Sequence, residues 1–255
     1  MDKFQPLKMR SILAALLLVA LINAAWLVRA QNSSPAPATN EKILVEGFRR
    51  VEVASVSDAL EQLTGQRMYM SHHMQPIFTS KFAGFARTVR LKKDEGNTDP
   101  KALSGMLAAI DEGSENSVYV MAVEDGADIA GMGGLMGTAM AARGYAGAVI
   151  DGGVRDVAYL RKIGFPVYAT GIVPSTSVHH YRFDASEVPI QCDGVNVNPG
   201  DIVAADSDGV VVVPRAKAME VLRLAQQLDF KEHSMYPVIE KLKSIQEAVK
   251  QFGRL

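Results

Sequence analysis

The sequence predicts an α/β protein built on a mainly parallel sheet with helices on its faces. Three observations carry that class. From Val118 to Thr170 the chain reads strand, helix, strand, helix, strand, the spacing of a βαβαβ unit. The 255 residues are 48% hydrophobic and 22% charged, a globular balance that can bury a sizeable core in one large domain or two small ones. Beyond Val188 come short strands parted by the turn sequences Asn198-Pro-Gly-Asp201 and Asp206-Ser-Asp-Gly209, which read as a hairpin unit.

Taken in order, residues 1–30 read as an export signal. Lys3, Lys8 and Arg10 precede an apolar run from Ser11 to Val28, and Val28-Arg29-Ala30 offers a cleavage site before Gln31. An uncleaved membrane anchor is the alternative, since the run approaches spanning length. The mature protein is then expected in the periplasm or outside the cell. Residues 31–42, rich in Pro, Ser, Ala and Asn, read as a flexible linker. Helical periodicity runs from Ile43 to about Gly65, and Phe82 to Leu91 alternates as a strand. Pro100 to Glu112 is expected to be a helix. Val118 to Val123 is a buried strand, and Gly131-Met-Gly-Gly134 opens a helix to about Arg143. Gly147 to Asp151 is a second strand, Gly152-Gly153 a turn, Arg155 to Ile163 a helix, and Pro166 to Thr170 a third strand. Strands are expected within 188–197, 201–205 and 209–213, and C-terminal helices over 215–228 and 237–252. The α/β domain is placed at 43–228 and a helical extension at 229–255.

The formal net charge of −1 points to neither nucleic acid nor anionic lipid as a partner. Cys192 is the only cysteine, so no intramolecular disulfide forms, and it reads as a small packed residue rather than a nucleophile. His72-His73 and His179-His180 lack zinc-site spacing and read as loop or surface residues. Asp206-Ser-Asp-Gly209 reads as a hairpin turn rather than a calcium loop. The methionines Met70, Met74, Met132, Met136 and Met140 read as core filling.

Ligands of parallel α/β sheets bind outside the carboxyl ends of the strands, and two features converge there. Gly133 and Gly134 leave the N–H groups of Leu135 and Met136 open to a carboxylate or phosphate at a helix start. Arg155 adds a guanidinium that grips a carboxylate through two hydrogen bonds, and Asp156 a hard oxygen ligand for Mg²⁺ or Mn²⁺. By residue type alone, Asp156 also suits a plain helix-start carboxylate, with Arg155 in a surface ion pair. A dinucleotide reading of Gly131-Met-Gly133 fails, because Met136 stands where the third glycine belongs.

The runs Ala54-Ser-Val-Ser-Asp-Ala-Leu60, Gly133-Gly-Leu-Met136, Arg143-Gly through Val154-Arg-Asp156, and Gly194-Val through Val213-Pro214 together resemble the regulator of ribonuclease activity A family, which includes 4-hydroxy-4-methyl-2-oxoglutarate aldolases. The resemblance covers about Ile43 to Leu228. It implies a ββα swivelling-type domain in α/β/α layers, self-associated as a trimer or hexamer with sites at subunit interfaces. It further implies a divalent-metal-dependent lyase that forms a pyruvate enolate by retro-aldol cleavage or by decarboxylating oxaloacetate. Asp156 would hold Mg²⁺, Mn²⁺ or another divalent cation, Arg155 the pyruvyl unit, and the Leu135 and Met136 N–H groups its carboxylate. Two positions depart from the family pattern. Gly134 stands where the aldolases carry an Asp, and Tyr159 where other members carry a compensating acid. This leaves room for a second class, an exported non-catalytic keto-acid-binding or regulatory protein. A different lyase, isomerase or transferase on the same scaffold is a third.

Overall fold

The structure is a computed structural model that describes residues 37–253 apart from residue 79. The expected signal segment and most of the expected linker lie outside the described residues. The chain divides into two compact units, Met1–Lys42 and Ile43–Leu255. Described residues of the first unit belong to helix α1 (Pro37–Arg50), so the expected linker is already helical at its end. Proline at the first helical position explains that start, since its missing N–H has no partner there anyway.

The helical periodicity from Ile43 to Gly65 is carried by two helices, the second beginning at Val53, so Ser57 and Asp58 lie inside it rather than capping its start. Helix α2 (Val53–Thr64) starts afresh after Val51-Glu52 and ends on Gly65 in the left-handed conformation. Its start is fixed from afar, by the Asp206 carboxylate accepting from the Val53 N–H at 2.9 Å. Strands follow at β1 (Gln75–Pro76), β2 (Phe82–Lys93), β3 (Ser117–Val123), β4 (Ala130–Met132), β5 (Gly147–Val154) and β6 (Val167–Ile172). They are interleaved with α3 (Ser104–Asp111), α4 (Gly134–Ala142) and α5 (Val157–Ile163). Then come β7 (Tyr181–Ser186), β8 (Ile190–Cys192), β9 (Val195–Val197), β10 (Ile202–Asp206) and β11 (Gly209–Val213).

This is a mixed α/β fold with a mostly parallel, nearly closed sheet plus helices. The main sheet runs β1-β6-β5-β3-β2-β10-β11, and its middle pairings β2–β3, β3–β5 and β5–β6 are parallel. The antiparallel hairpin β10–β11 continues it beyond β2. Residues 68–76 bring the two ends together. The Met70 N–H donates to Val210 on β11, while β1 pairs with β6 at the far end. Inside the curl lie Val118, Val120, Val149, Tyr168, Val203 and Val212, plugged by the β8–β9 hairpin with Cys192. Burial pushes the Cys192 thiol up, which leaves it a packed, unreactive residue. On the outer face Met121, Ile150 and Val154 pack against Met106, Met140 and Leu160 of α3, α4 and α5. A third cluster sets α1, α2 and the C-terminal helix on Ala204, Val211 and Val213. The five methionines read as core filling are all buried.

Further elements differ from expectation, beginning with α3, which starts at Ser104 rather than Pro100. Strand β5 runs on to Val154, and α5 begins only at Val157, because the short strand β4 pairs with Gly153 and Val154 and extends the sheet. Gly153 is required there, since a Cβ would lie 2.8 Å from the Ile129 carbonyl oxygen. Strand β7, absent from the expected elements, covers one end of β2. The C-terminal helices also divide elsewhere than expected. Helix α6 (Ala218–Leu242) runs through the anticipated 228/229 boundary and through Pro237. One helical N–H is lost at Pro237, yet the burial of Met235 and the helix-favouring Glu240-Lys-Leu242 carry the helix on. The break comes instead at Lys243, in the left-handed conformation, and Ser244 caps α7 (Ile245–Phe252) by accepting from the Glu247 N–H.

Asp206-x-Asp208-Gly is the β10–β11 turn. Asp206 accepts from the Asp208 N–H at 3.0 Å and from Val53 at 2.9 Å, and is only 9% exposed. Asp206→Ala is therefore expected to cost about 2 kcal/mol in urea denaturation, whereas exposed Asp208→Ala changes stability little.

His233 on α6 donates from Nδ1 to the Asp229 carbonyl and faces the Glu52 carboxylate at 3.4 Å. The bond to Asp229 and the nearby Asp229 and Glu52 charges hold its pKa above the usual histidine value. A raised folded pKa adds stability below pH about 6.5, which fades as pH rises through the folded value. The melting-temperature gap between wild type and His233→Gln is expected to be larger at pH 6 than at pH 8.5.

Candidate functional site

The parallel strands β3, β5 and β6 all end on the same edge, and a cleft of about 420 Å³ opens there. Gly133, Gly134, Leu135, Met136, Arg155 and Asp156 all line it. The six residues singled out in the sequence are therefore brought together.

Each is placed by a local constraint. Extended β5 delivers Arg155, whose N–H donates to the Met132 carbonyl at 3.0 Å. The chain then turns through Asp156 in the left-handed conformation, φ 59°, a region costly for most side chains and more open to Asp. That turn aims the Asp156 carboxylate away from its own helix. Oδ2 accepts instead from the Gly134 N–H, at 2.8 Å, at the start of α4. The contact depends on Gly133, where a Cβ would stand 2.8 Å from Asp156 Oδ2 and 3.1 Å from Arg155 Cγ.

Arg155 stretches along the other side. Its Nε lies 3.9 Å from Asp156 Oδ2, and its NH1 donates to the Ser175 carbonyl at 3.0 Å. Ser175 is itself anchored, accepting from the Ala130 N–H and donating to the Asp128 carbonyl. Both side chains remain about half exposed, Arg155 at 45% and Asp156 at 51%. The N–H groups of Leu135 and Met136, in the first turn of α4, make no hydrogen bond to another described residue. The Leu135 side chain is 90% exposed while that of Met136 is buried, so these two contribute backbone to an anion. Together the groups form an anion cradle, a guanidinium and a carboxylate on one cleft. Among the described residues no group of three or more His, Cys, Asp or Glu is placed to hold a metal ion.

The two departures from the family pattern meet in space. A Cβ on Gly134 would lie 3.2 Å from the Tyr159 ring, and the Tyr159 hydroxyl is 3.5 Å from Thr138 Oγ1. Where an acid would project from position 134, an aromatic ring stands.

The opposite wall went unrecognised in the sequence. It comes from residues 99–107 and 176–179, including Leu103, Met106, Val178 and His179. His179-His180 do lie in a surface turn, but the His179 ring also borders the cleft, its Nδ1 bonded to the Asn97 carbonyl at 2.8 Å. A carbonyl only accepts, so Nδ1 carries a proton and donates this bond. Asp151 on β5 accepts from the Asp193 N–H at 2.7 Å, and burial raises its carboxyl pKa.

The model of the RraA-like family, described as Aldolase/RraA, matches residues 53–212. The chain belongs to this family. A relative from Halalkalibacterium halodurans, named a putative 4-hydroxy-4-methyl-2-oxoglutarate aldolase, is 29% identical over 71% of this chain and 80% of its own. One from Thermus thermophilus, named a 4-hydroxy-4-methyl-2-oxoglutarate aldolase, is 29% identical over 53% of this chain and 77% of its own. Among solved structures, Streptomyces coelicolor RraAS2, titled an unusual member of the RNase ES inhibitor RraA protein family, superimposes with a TM-score of 0.67. It is 31% identical, covering 76% of this chain and 96% of that one.

Gly133→Ala is expected to destabilise the RraA-like fold by about 1–3 kcal/mol in urea denaturation, because the added methyl displaces Asp156 Oδ2 from the Gly134 N–H. Gly134→Ala, whose methyl would press on the Tyr159 ring at 3.2 Å and on Asp156 Cβ at 3.3 Å, is expected to cost less than Gly133→Ala.

Proposed function

We propose that this chain is a divalent-metal-dependent lyase acting on pyruvyl substrates, in the manner of a class II pyruvate aldolase. The names of its relatives point to an aldolase. The observation that carries the reading is the convergence of Asp156, Arg155 and two unbonded N–H groups on one cleft.

The donor set fits a hard cation. Asp156 commits Oδ2 to a backbone N–H and its half-exposed side chain has a second oxygen to offer. That oxygen of Asp156 would hold Mg²⁺ or Mn²⁺. Such a cation supplies Lewis-acid polarisation of the 2-oxo group. The chain's own residues do the rest. The Leu135 and Met136 N–H groups bind the substrate carboxylate. Arg155, steadied by the Ser175 carbonyl, donates to the 2-oxo oxygen and stabilises the charge that grows there as the C3–C4 bond breaks. Cleavage of 4-hydroxy-4-methyl-2-oxoglutarate and decarboxylation of oxaloacetate leave the same pyruvate enolate. Self-association as a trimer or hexamer is part of this reading, and the exposed Leu107, Leu135 and Val178 at the cleft rim support it. So is export, carried by the charged and apolar pattern of residues 1–30.

One observation favours a second reading, a keto-acid-binding or regulatory protein without turnover. Neither position 134 nor position 159 carries a proton-positioning carboxylate, since Gly134 and Tyr159 stand there.

Pyruvate release should be followed from oxaloacetate, 4-hydroxy-4-methyl-2-oxoglutarate and 4-hydroxy-2-oxopentanoate, with Mg²⁺ and then with chelator. The expected result is chelator-sensitive release that falls about 100-fold or more in Asp156→Ala. Full activity in that variant removes Asp156 from the mechanism. Tight oxalate binding without release from any donor favours the second reading.

A further inference from the structure

We infer that His179 is the general base of carbon–carbon cleavage, taking the proton of the substrate's C4 hydroxyl through Nε2. This rests on the lyase reading and on its placement of the 2-oxo acid head. With the carboxylate on the Leu135 and Met136 N–H groups and the 2-oxo oxygen facing Arg155 and Asp156, the substrate beyond C2 runs toward the opposite wall of the cleft. His179 is part of that wall. Retro-aldol cleavage needs a proton acceptor there, because the C4 hydroxyl must become a carbonyl as the C3–C4 bond breaks. Neither Gly134 nor Tyr159 supplies one.

The ring is held for such a role. Nδ1 donates to the Asn97 carbonyl at 2.8 Å, so in the neutral ring the lone pair sits on Nε2. Nε2 bonds to no other described residue. The backbone of His179 is left-handed, φ 68°, a region that costs a histidine free energy and persists only where surrounding contacts impose it. Those contacts are present. The His179 carbonyl accepts from the Gly96 N–H at 2.8 Å, and the His180 carbonyl from the Asp94 N–H at 2.8 Å. The Ser177 carbonyl accepts from the His180 and Tyr181 N–H groups. His180 Nδ1 lies 2.6 Å from Glu95 Oε2, so that histidine is engaged outside the cleft while its neighbour borders it.

Among the described residues the charged groups lining the cleft are Asp99, Arg155 and Asp156. Arg155 and Asp156 serve the 2-oxo end. Asp99 accepts from the Lys101 N–H through Oδ1 at 2.8 Å and is the rival base on the same wall. In the step itself the C4 hydroxyl proton moves to Nε2, and the O–H electron pair becomes the new C=O bond. The C3–C4 pair passes into the pyruvate enolate. Its C3 then takes a proton from water, and His179 returns its own to solvent. Decarboxylation of oxaloacetate breaks a carbon–carbon bond with no hydroxyl proton to remove, so it has no use for this base.

The test follows pyruvate release from 4-hydroxy-4-methyl-2-oxoglutarate and from oxaloacetate in the Mg²⁺-loaded full chain. His179→Asn keeps an N–H donor for the Asn97 carbonyl and tolerates the left-handed backbone, but has no basic nitrogen. In this variant kcat for aldol cleavage is expected to fall about 100-fold, while decarboxylation of oxaloacetate stays within about twofold of wild type. His179→Gly, a residue at home with positive φ, should show the same split. A joint fall in both reactions overturns the inference, since His179 would then act only on the shape of the site. So does unchanged aldol cleavage, which would put the base elsewhere, a neighbouring subunit included. The split appearing in Asp99→Asn and not in His179→Asn overturns it as well. Wild type that releases no pyruvate from either donor sinks the lyase reading itself, whereas the other failures remove His179 and leave that reading standing.

Discussion

The site depends on one hydrogen bond, from the Gly134 N–H to the Asp156 carboxylate. It joins the starts of two helices that follow different strands. Without it, α4 and α5 would each present an ordinary N-terminus to solvent, and Arg155 would lose its fixed neighbour. Its geometry needs β5 to run on to Val154, which β4 enforces from one side and β6 from the other. It also needs a left-handed residue at position 156 and no side chain at position 133. Backbone strain and a bare glycine thus sit together at the point where chemistry is proposed, as expected when function rather than stability sets the conformation.

Around that bond the fold separates duties. The interior of the curled sheet is filled by aliphatic residues and closed by the β8–β9 hairpin. Asp201, another acid of the recurring motifs, is structural, since it accepts from the N–H groups of Asn198 and Arg215. Asp206 does the same for Val53 and Asp208. Only Asp156 among these motif acids leaves a carboxylate at the cleft.

Much of this was legible in the sequence. Dense β-branched runs such as Val118-Tyr-Val-Met-Ala-Val123 have no exposed face, so burial alone declares them strands. Gly133-Gly134 and Arg155-Asp156 were legible because few residue types serve an anion or a hard cation. What escaped depends on partners distant in sequence. Ala130–Met132 is a strand only because β5 is beside it, and Tyr181–Ser186 only because β2 offers an edge. The leucine wall reads locally as ordinary helix packing, and only the folded chain turns it toward Arg155. Pro237 was expected to open the last helix, but burial of Met235 just before it outweighs one lost hydrogen bond and α6 runs through.

The closure made by residues 68–76 has a consequence for the order of assembly. Gln75 pairs with Ala169 and Tyr69 with Val211, so one short segment must wait for partners far along the chain. Loop-closure entropy makes such contacts late ones. Until then both ends of the sheet are bare ladders, able to template another strand. A fragment ending after β6 would keep the β2 edge and lose its seal, leaving it prone to intermolecular pairing. Latching both rims with a single segment makes the closed sheet resistant to strand addition once complete, and dependent on the whole chain for reaching that state.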